Sequence, residues 1–248
     1  MKTFFFLLFL PILFFGQLSP KVNKLYKQLS QSERYESKNI SIDGHESEVY
    51  KINEKIGKIA SDDEVKFIAS NGNPSTKLYA LNILFSRKSK SFEKFFINNL
   101  NTKDSLKVMK GCVIRMTTIA FELYQNVLAE KQIIKQADWE RKWKDSMIAN
   151  HKQNSPEYQN IKDMLNTRSI WKTNEIDSLT SRLDQIILSN PNSPKVMVEL
   201  LAEYHLYEGL KVPYFDKLAF FERKYKSEYI DKYLKFCRYG IKEPVSFD

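Results

Sequence analysis

The sequence predicts an all-α protein, built from stacked antiparallel helix pairs as a degenerate α-solenoid or an irregular helical bundle. Three observations predict it. Past residue 45, apolar residues recur at helical spacing almost everywhere. Serine, asparagine and proline stand where those runs begin, as helix starts require. Only 7 of 248 residues are glycine, which argues against barrels with many tight turns and against glycine-rich phosphate loops. A chain that is 42% apolar and 28% charged is globular rather than disordered. Its length also allows a sizeable core without disulfides.

The first element is a targeting segment. Lys2 gives a positive start, Phe4 to Phe15 form an apolar run broken only by Pro11, and Gly16-Gln17 follow. A run this short reaches only about 18 Å as a helix, less than a bilayer core. Residues 1–16 therefore read as a secretory signal peptide, and the mature protein as periplasmic or secreted. Cleavage after Gly16 is the best match, although Phe14 stands where a small residue is usual. The competing reading is a retained anchor. Residues 17–45 read as a partly irregular leader. Within and just after it, Ile40 and Ile42 precede Asp43-Gly44, a hairpin-turn dipeptide, so 39–50 is the one candidate for strands.

A helical domain over 46–248 follows. Val49, Ile52, Ile56 and Ile59 form one stripe on a helix near 46–60. Ser61-Asp-Asp-Glu64 has the capping-box pattern and opens a short helix. Asn71-Gly-Asn-Pro74 is a turn that starts a helix near 75–85, and Ser91 can cap another over 92–100. From Asp104 to about Asn150 the pattern reads as helix with a break or kink at Gly111, and Ile119, Leu123, Val127 and Ile134 face inward. Pro156 starts a short helix. Asn174 caps a helix carrying Ile176, Leu179, Leu183 and Ile186, and Ser193-Pro194 opens the next, which Gly209 stops. The last two span about 214–225 and 228–239.

Two stretches echo each other, 70–84 and 189–201. Each is an Asn/Pro turn leading into an apolar helix, then an aromatic-acid-lysine start in Phe92-Glu-Lys94 and Phe215-Asp-Lys217. Asn73-Pro74-x-x-Lys77-x-Tyr79-Ala80-x-x-x-Leu84 resembles the second helix of a HEAT-like repeat. With the exported N-terminus and Gly111-Cys112-x-Ile114, the chain is similar to uncharacterised secreted bacterial proteins with HEAT-like helical repeats. The segments near 61–115 and 175–238 carry the likeness. Lys77 stands where such repeats often have arginine, and regular recurrence is missing. The resemblance implies a stacked-helix scaffold with a binding surface and supplies no catalytic residues.

The net charge of +9 is dispersed, with segment charges between −1 and +4 and no basic block. Arg87, Lys88, Lys90 and Lys94 form the densest cluster, read as a solvated turn. Nucleic acid is not an expected partner. Phe221, Tyr225, Tyr229 and Tyr233 recur every four residues among basic side chains, as on a helix buried along one face. Cys112 and Cys237 either pair in the oxidising compartment or sit as small buried hydrophobes on helices.

Catalytic signals are thin. His45, His151 and His205 form no metal-spaced pair, and no GxSxG is present, so no catalytic, cofactor or metal residue is assigned. Glu203, His205 and Glu208 lie close on one helix, with His205 and Glu208 at i, i+3. Trp139 and Trp143 stand at i, i+4 around Arg141 in a charged stretch. Exposed, these three would anchor a protein partner; alternatively the tryptophans cover a core edge. The expected function is an exported helical scaffold that binds a protein in the cell envelope or medium, with no cofactor and no membrane span after cleavage. The alternative is an exported helical hydrolase with a dispersed active site, for which His205 among carboxylates in a deep pocket would be the sign.

Overall fold

Eleven helices and a four-stranded mixed sheet make up the described residues, 18–165 and 169–240, in this computed structural model. The protein is thus mostly helical, and the all-α expectation is corrected by the sheet. The signal peptide read at 1–16 lies outside the described residues. The chain divides into two units, Met1–Leu123 and Tyr124–Asp248. Among the described residues no helix is long and apolar enough to cross a membrane.

The first unit runs α1 (Pro20–Leu29), β1 (Tyr35–Ile40), β2 (His45–Glu46), α2 (Glu48–Ile59), α3 (Asp62–Asn71), α4 (Pro74–Ser86), α5 (Phe92–Leu100), β3 (Leu106–Gly111) and β4 (Val113–Thr117). The stretch read as a leader therefore holds a helix and a strand. The hairpin expected around Asp43-Gly44 is present as β1 and β2, with Gly44 at φ +67°. The sheet order is β2-β1-β3-β4, with β1 and β3 parallel and the outer pairs antiparallel.

The helix starts follow from local chemistry. Ser61 Oγ accepts from Glu64 N while Glu64 Oε2 accepts from Ser61 N at 2.8 Å, the reciprocal capping box. Asn73 Oδ1 accepts from Thr76 N at 2.8 Å, and Pro74 fills the first turn, where no N–H is needed. That helix, α4, is the core of the unit, with Leu78, Tyr79, Leu81 and Leu84 all fully buried. On α2 the inward face is rotated from the expected stripe. Asn53 and Ile56 are buried there, whereas Ile59 is 49% exposed.

The kink expected at Gly111 is instead the turn of a hairpin. Gly111 has φ +58°, a region that glycine enters without the Cβ penalty, and β3 turns back on β4 across Gly111-Cys112. Leu106 and Val108 are buried on one face of β3, so the sheet packs instead of continuing a helix. The segment near 61–115 that resembles a HEAT-like repeat therefore closes in strands. Cys112 is exposed at this turn rather than buried on a helix, Cys237 is half-buried, and both thiols are free.

The second unit takes up α6 (Ile119–Ala149) from Tyr124, then α7 (Pro156–Met164), α8 (Thr173–Ser189), α9 (Lys195–Glu208), α10 (Phe215–Tyr225) and α11 (Glu228–Tyr239). Ser155 Oγ caps α7 at Tyr158 N, 3.2 Å. Gly209, at φ +69°, ends α9 in the left-handed conformation expected of it. Two starts differ from expectation. Asn174 lies inside α8, whose N-cap is Lys172, with Glu175 Oε2 accepting from Lys172 N at 2.9 Å. Ser193 does not cap α9; its hydroxyl donates to Ile187 O at 2.5 Å and ties the turn back to α8. The core comprises Ile176, Leu183, Ile187, Met197, Leu201, Leu218, Phe221 and Ile230, all fully buried. Tyr233 is buried with them, but Tyr229 is 40% exposed, so the four-residue aromatic recurrence does not form a single buried stripe.

Candidate functional site

Trp139 and Trp143 lie one turn apart on α6 and are 55% and 42% exposed. Their ring centroids are 5.1 Å apart with the planes tilted by 45°. The same helix face continues through Glu140 and Met147, which are buried, so the two indoles stand at the rim of what α6 covers. Gln136 Nε2 donates to Glu140 Oε1 at 2.9 Å and satisfies that covered carboxylate. Arg141 does not join the indoles. It pairs with Asp138 one turn back on its own helix. Ile133 and Ile148 are further exposed apolar residues of α6, at 50% and 39%. Two large aromatic surfaces half out in water cost hydration free energy, which covering them would recover.

The second constellation is internal. Asp184 on α8 accepts from Tyr124 Oη at 2.5 Å through Oδ1, and its Oδ2 lies 2.8 Å from His205 Nε2. All three side chains are buried, Asp184 at 2% and His205 at 4% exposure. The His205 ring lies 6.1 Å from Tyr233 in a stacked arrangement and 5.4 Å from Tyr204 edge-on. Among the described residues, His205 Nδ1 and Tyr204 Oη are buried without a hydrogen-bond partner. Burial, then the charge of Asp184, holds the Tyr124 phenol well above its ordinary value, so its proton stays on.

Chemically this is a carboxylate-oriented imidazole, the first half of a nucleophilic triad. The nucleophile of such a triad would sit on the other ring nitrogen, and His205 Nδ1 is buried with no hydroxyl or thiol bonded to it among the described residues. An open hollow of about 350 Å³ is lined by Leu188, Ser189, Pro191, Asp216, Lys217 and Phe220, none of which belongs to the network. His205 and Glu208 are not the helical pair their spacing suggests. Glu208 instead accepts from Gln132 Nε2 and Lys135 Nζ, both at 2.6 Å. Asp184 lies 21 residues from His205 and 60 from Tyr124, so no local spacing in the sequence signals their meeting.

Among the described residues no group of three or more His, Cys, Asp or Glu side chains is placed to hold a metal ion. The basic cluster is partly structural, since Arg87 donates to Asp62 Oδ1 at 2.7 Å and to the carbonyls of Gly57 and Ala60 at 2.8 Å. No protein-family model, curated protein or solved structure matches this chain.

Proposed function

We propose that this protein is an exported helical scaffold that binds a protein partner through the Trp139–Trp143 face of α6. The single observation that carries the reading is the adjacent, half-exposed indole pair. Tryptophan is enriched among residues that dominate interface energies, because it adds large rigid area at small entropic cost. Export rests on the residue pattern of 1–16, so the partner belongs to the cell envelope or the medium. The closely packed pair α9 with α11, read as HEAT-like stacking, would supply rigid support within the same unit. The hydrolase reading has the Asp184–His205 pair in its favour and the burial of both groups against it.

A pull-down from the producing cell's envelope and medium tests the reading. Wild-type protein should retain a partner that the Trp139→Ala/Trp143→Ala variant loses. The same partner on both would move the interface elsewhere, and a folded protein that retains nothing would overturn the binding reading.

A further inference from the structure

The two ends of the sheet are treated differently. At the β2 end the edge strand is only two residues long, His45–Glu46. Beyond it, the side of β1 turned away from β3 is closed by Tyr79, whose Oη accepts from Glu36 N and donates to Glu36 O, both at 2.8 Å. A side chain thus replaces a missing strand. At the other end, β4 is five residues long, contains no proline, and exposes Val113, Ile114 and Met116 at 60%, 49% and 63%. Short or capped edges prevent strand addition, and a long apolar edge invites it.

Register shows which backbone groups are open. Lys110 faces Val113 across the two-residue Gly111-Cys112 turn. In such a hairpin the pair flanking the turn exchanges both ladder bonds, and pairs alternate from there. Val113, Arg115 and Thr117 therefore bond to β3, while the N–H and C=O of Ile114 and Met116 point to the open edge. Charge selects among the strands that fit it. Lys110 Nζ and Arg115 Nη2 share one carboxylate, Glu122, at 2.8 Å each, and Lys107 is exposed on the opposite sheet face beside Met116. Residues 106–117 hold three cations and no carboxylate of their own.

From these observations we infer that β4 is a strand-addition site for an extended peptide segment that alternates apolar and acidic residues. Main-chain bonds to Ile114 and Met116 would supply the pairing, apolar side chains would cover Ile114 and Met116, and the alternating carboxylates would lie on the other face, beside Val113 and Arg115. A second copy of this chain fits less well, because antiparallel pairing of two β4 strands would set the two hairpins' cations against each other.

The test is amide exchange of the full chain with a synthetic acetylated peptide alternating valine and glutamate. Exchange at Ile114 and Met116 should slow on peptide binding. A valine–lysine peptide should bind about tenfold or more weakly, a difference of ~1.4 kcal/mol. Val113→Glu, which sets a carboxylate on the face the peptide's acidic residues would share with Arg115, should narrow that preference. Met116→Pro removes one edge N–H at a position where proline is tolerated, and it should abolish protection. Should that variant not fold, a peptide N-methylated at alternate residues asks the same question from the other side and should not bind. Three results would overturn the inference: no protection, equal binding of the N-methylated peptide, or concentration-dependent protection without peptide alongside a dimer in sedimentation, which would mean a second copy covers β4.

Discussion

Among the described residues, the most deeply buried carboxylates of the two units, Glu122 and Asp184, are satisfied in opposite ways. In the first, Glu122 is 0% exposed and held by two cations, Lys110 and Arg115, which are themselves 36% and 37% exposed. In the second, Asp184 is held by a phenol and an imidazole that are buried with it. The first site pairs charge with charge and leaves the cations wet. The second surrounds the charge with donors and shuts water out. The first arrangement is insensitive to losing its anion, because the cations can turn to solvent, and sensitive to losing its cations. The second is sensitive at every member, since each leaves a buried polar atom behind.

The largest expected effect breaks the first arrangement on its sensitive side. Lys110→Met with Arg115→Met strands Glu122 as an unpaired buried charge and should cost about 3–5 kcal/mol in chemical denaturation. Glu122→Gln should cost distinctly less. Equal losses would mean that the carboxylate is not the buried partner.

The next effect belongs to the second site. Tyr124→Phe removes one of the two donors to Asp184 and should cost about 1–3 kcal/mol. It should also change the alkaline limb. The folded phenol is held above its ordinary value of 10 by burial and then by Asp184. Its contribution is therefore complete below about pH 10 and declines as pH rises above that, because the unfolded chain then gives up the proton first. Wild type should lose stability above pH 10 more steeply than Tyr124→Phe, as read from denaturation midpoints across that range. Parallel curves would show that this phenol is not shielded.

The comparison also marks what the sequence made legible. Helix boundaries set by local bonds could be read in advance, as at Ser61 with Glu64, Asn73-Pro74 and Gly209, because the side chain and the backbone it satisfies lie within four residues. The buried face of α6 near Leu123 and Val127 follows from periodicity in the same way. The β3–β4 hairpin was missed although its signals are local. Leu106, Lys107 and Val108 alternate, and Gly111-Cys112 is a two-residue turn with glycine first, but helical neighbours on both sides outweighed a short strand pattern. Exposure of Trp139 and Trp143 could be posed but not decided, since i, i+4 spacing fits a core edge and a docking face equally. The meeting of Tyr124, Asp184 and His205 was not legible at all. It depends on how α6, α8 and α9 pack, which no short window contains.

The smallest expected effect lies between the two buried sites in character. Glu208 is 6% exposed at its side chain, yet it is held by one exposed cation, Lys135, and one neutral donor, Gln132. Burial acts to raise its pKa, but the bonds from Lys135 and Gln132 outweigh it and hold the carboxyl below its ordinary value of 4.5. A lowered folded value means stability that is present above that pH and lost as pH falls below it. Glu208→Gln keeps the shape and removes the charge. Because Lys135 can be solvated where it stands, the cost at neutral pH should be no more than about 1 kcal/mol. The variant should also flatten the acid limb below pH 4.5. If it instead costs as much as Tyr124→Phe, enclosure rather than the wetness of the partner sets the price, and the contrast between Glu122 and Asp184 would need that same explanation.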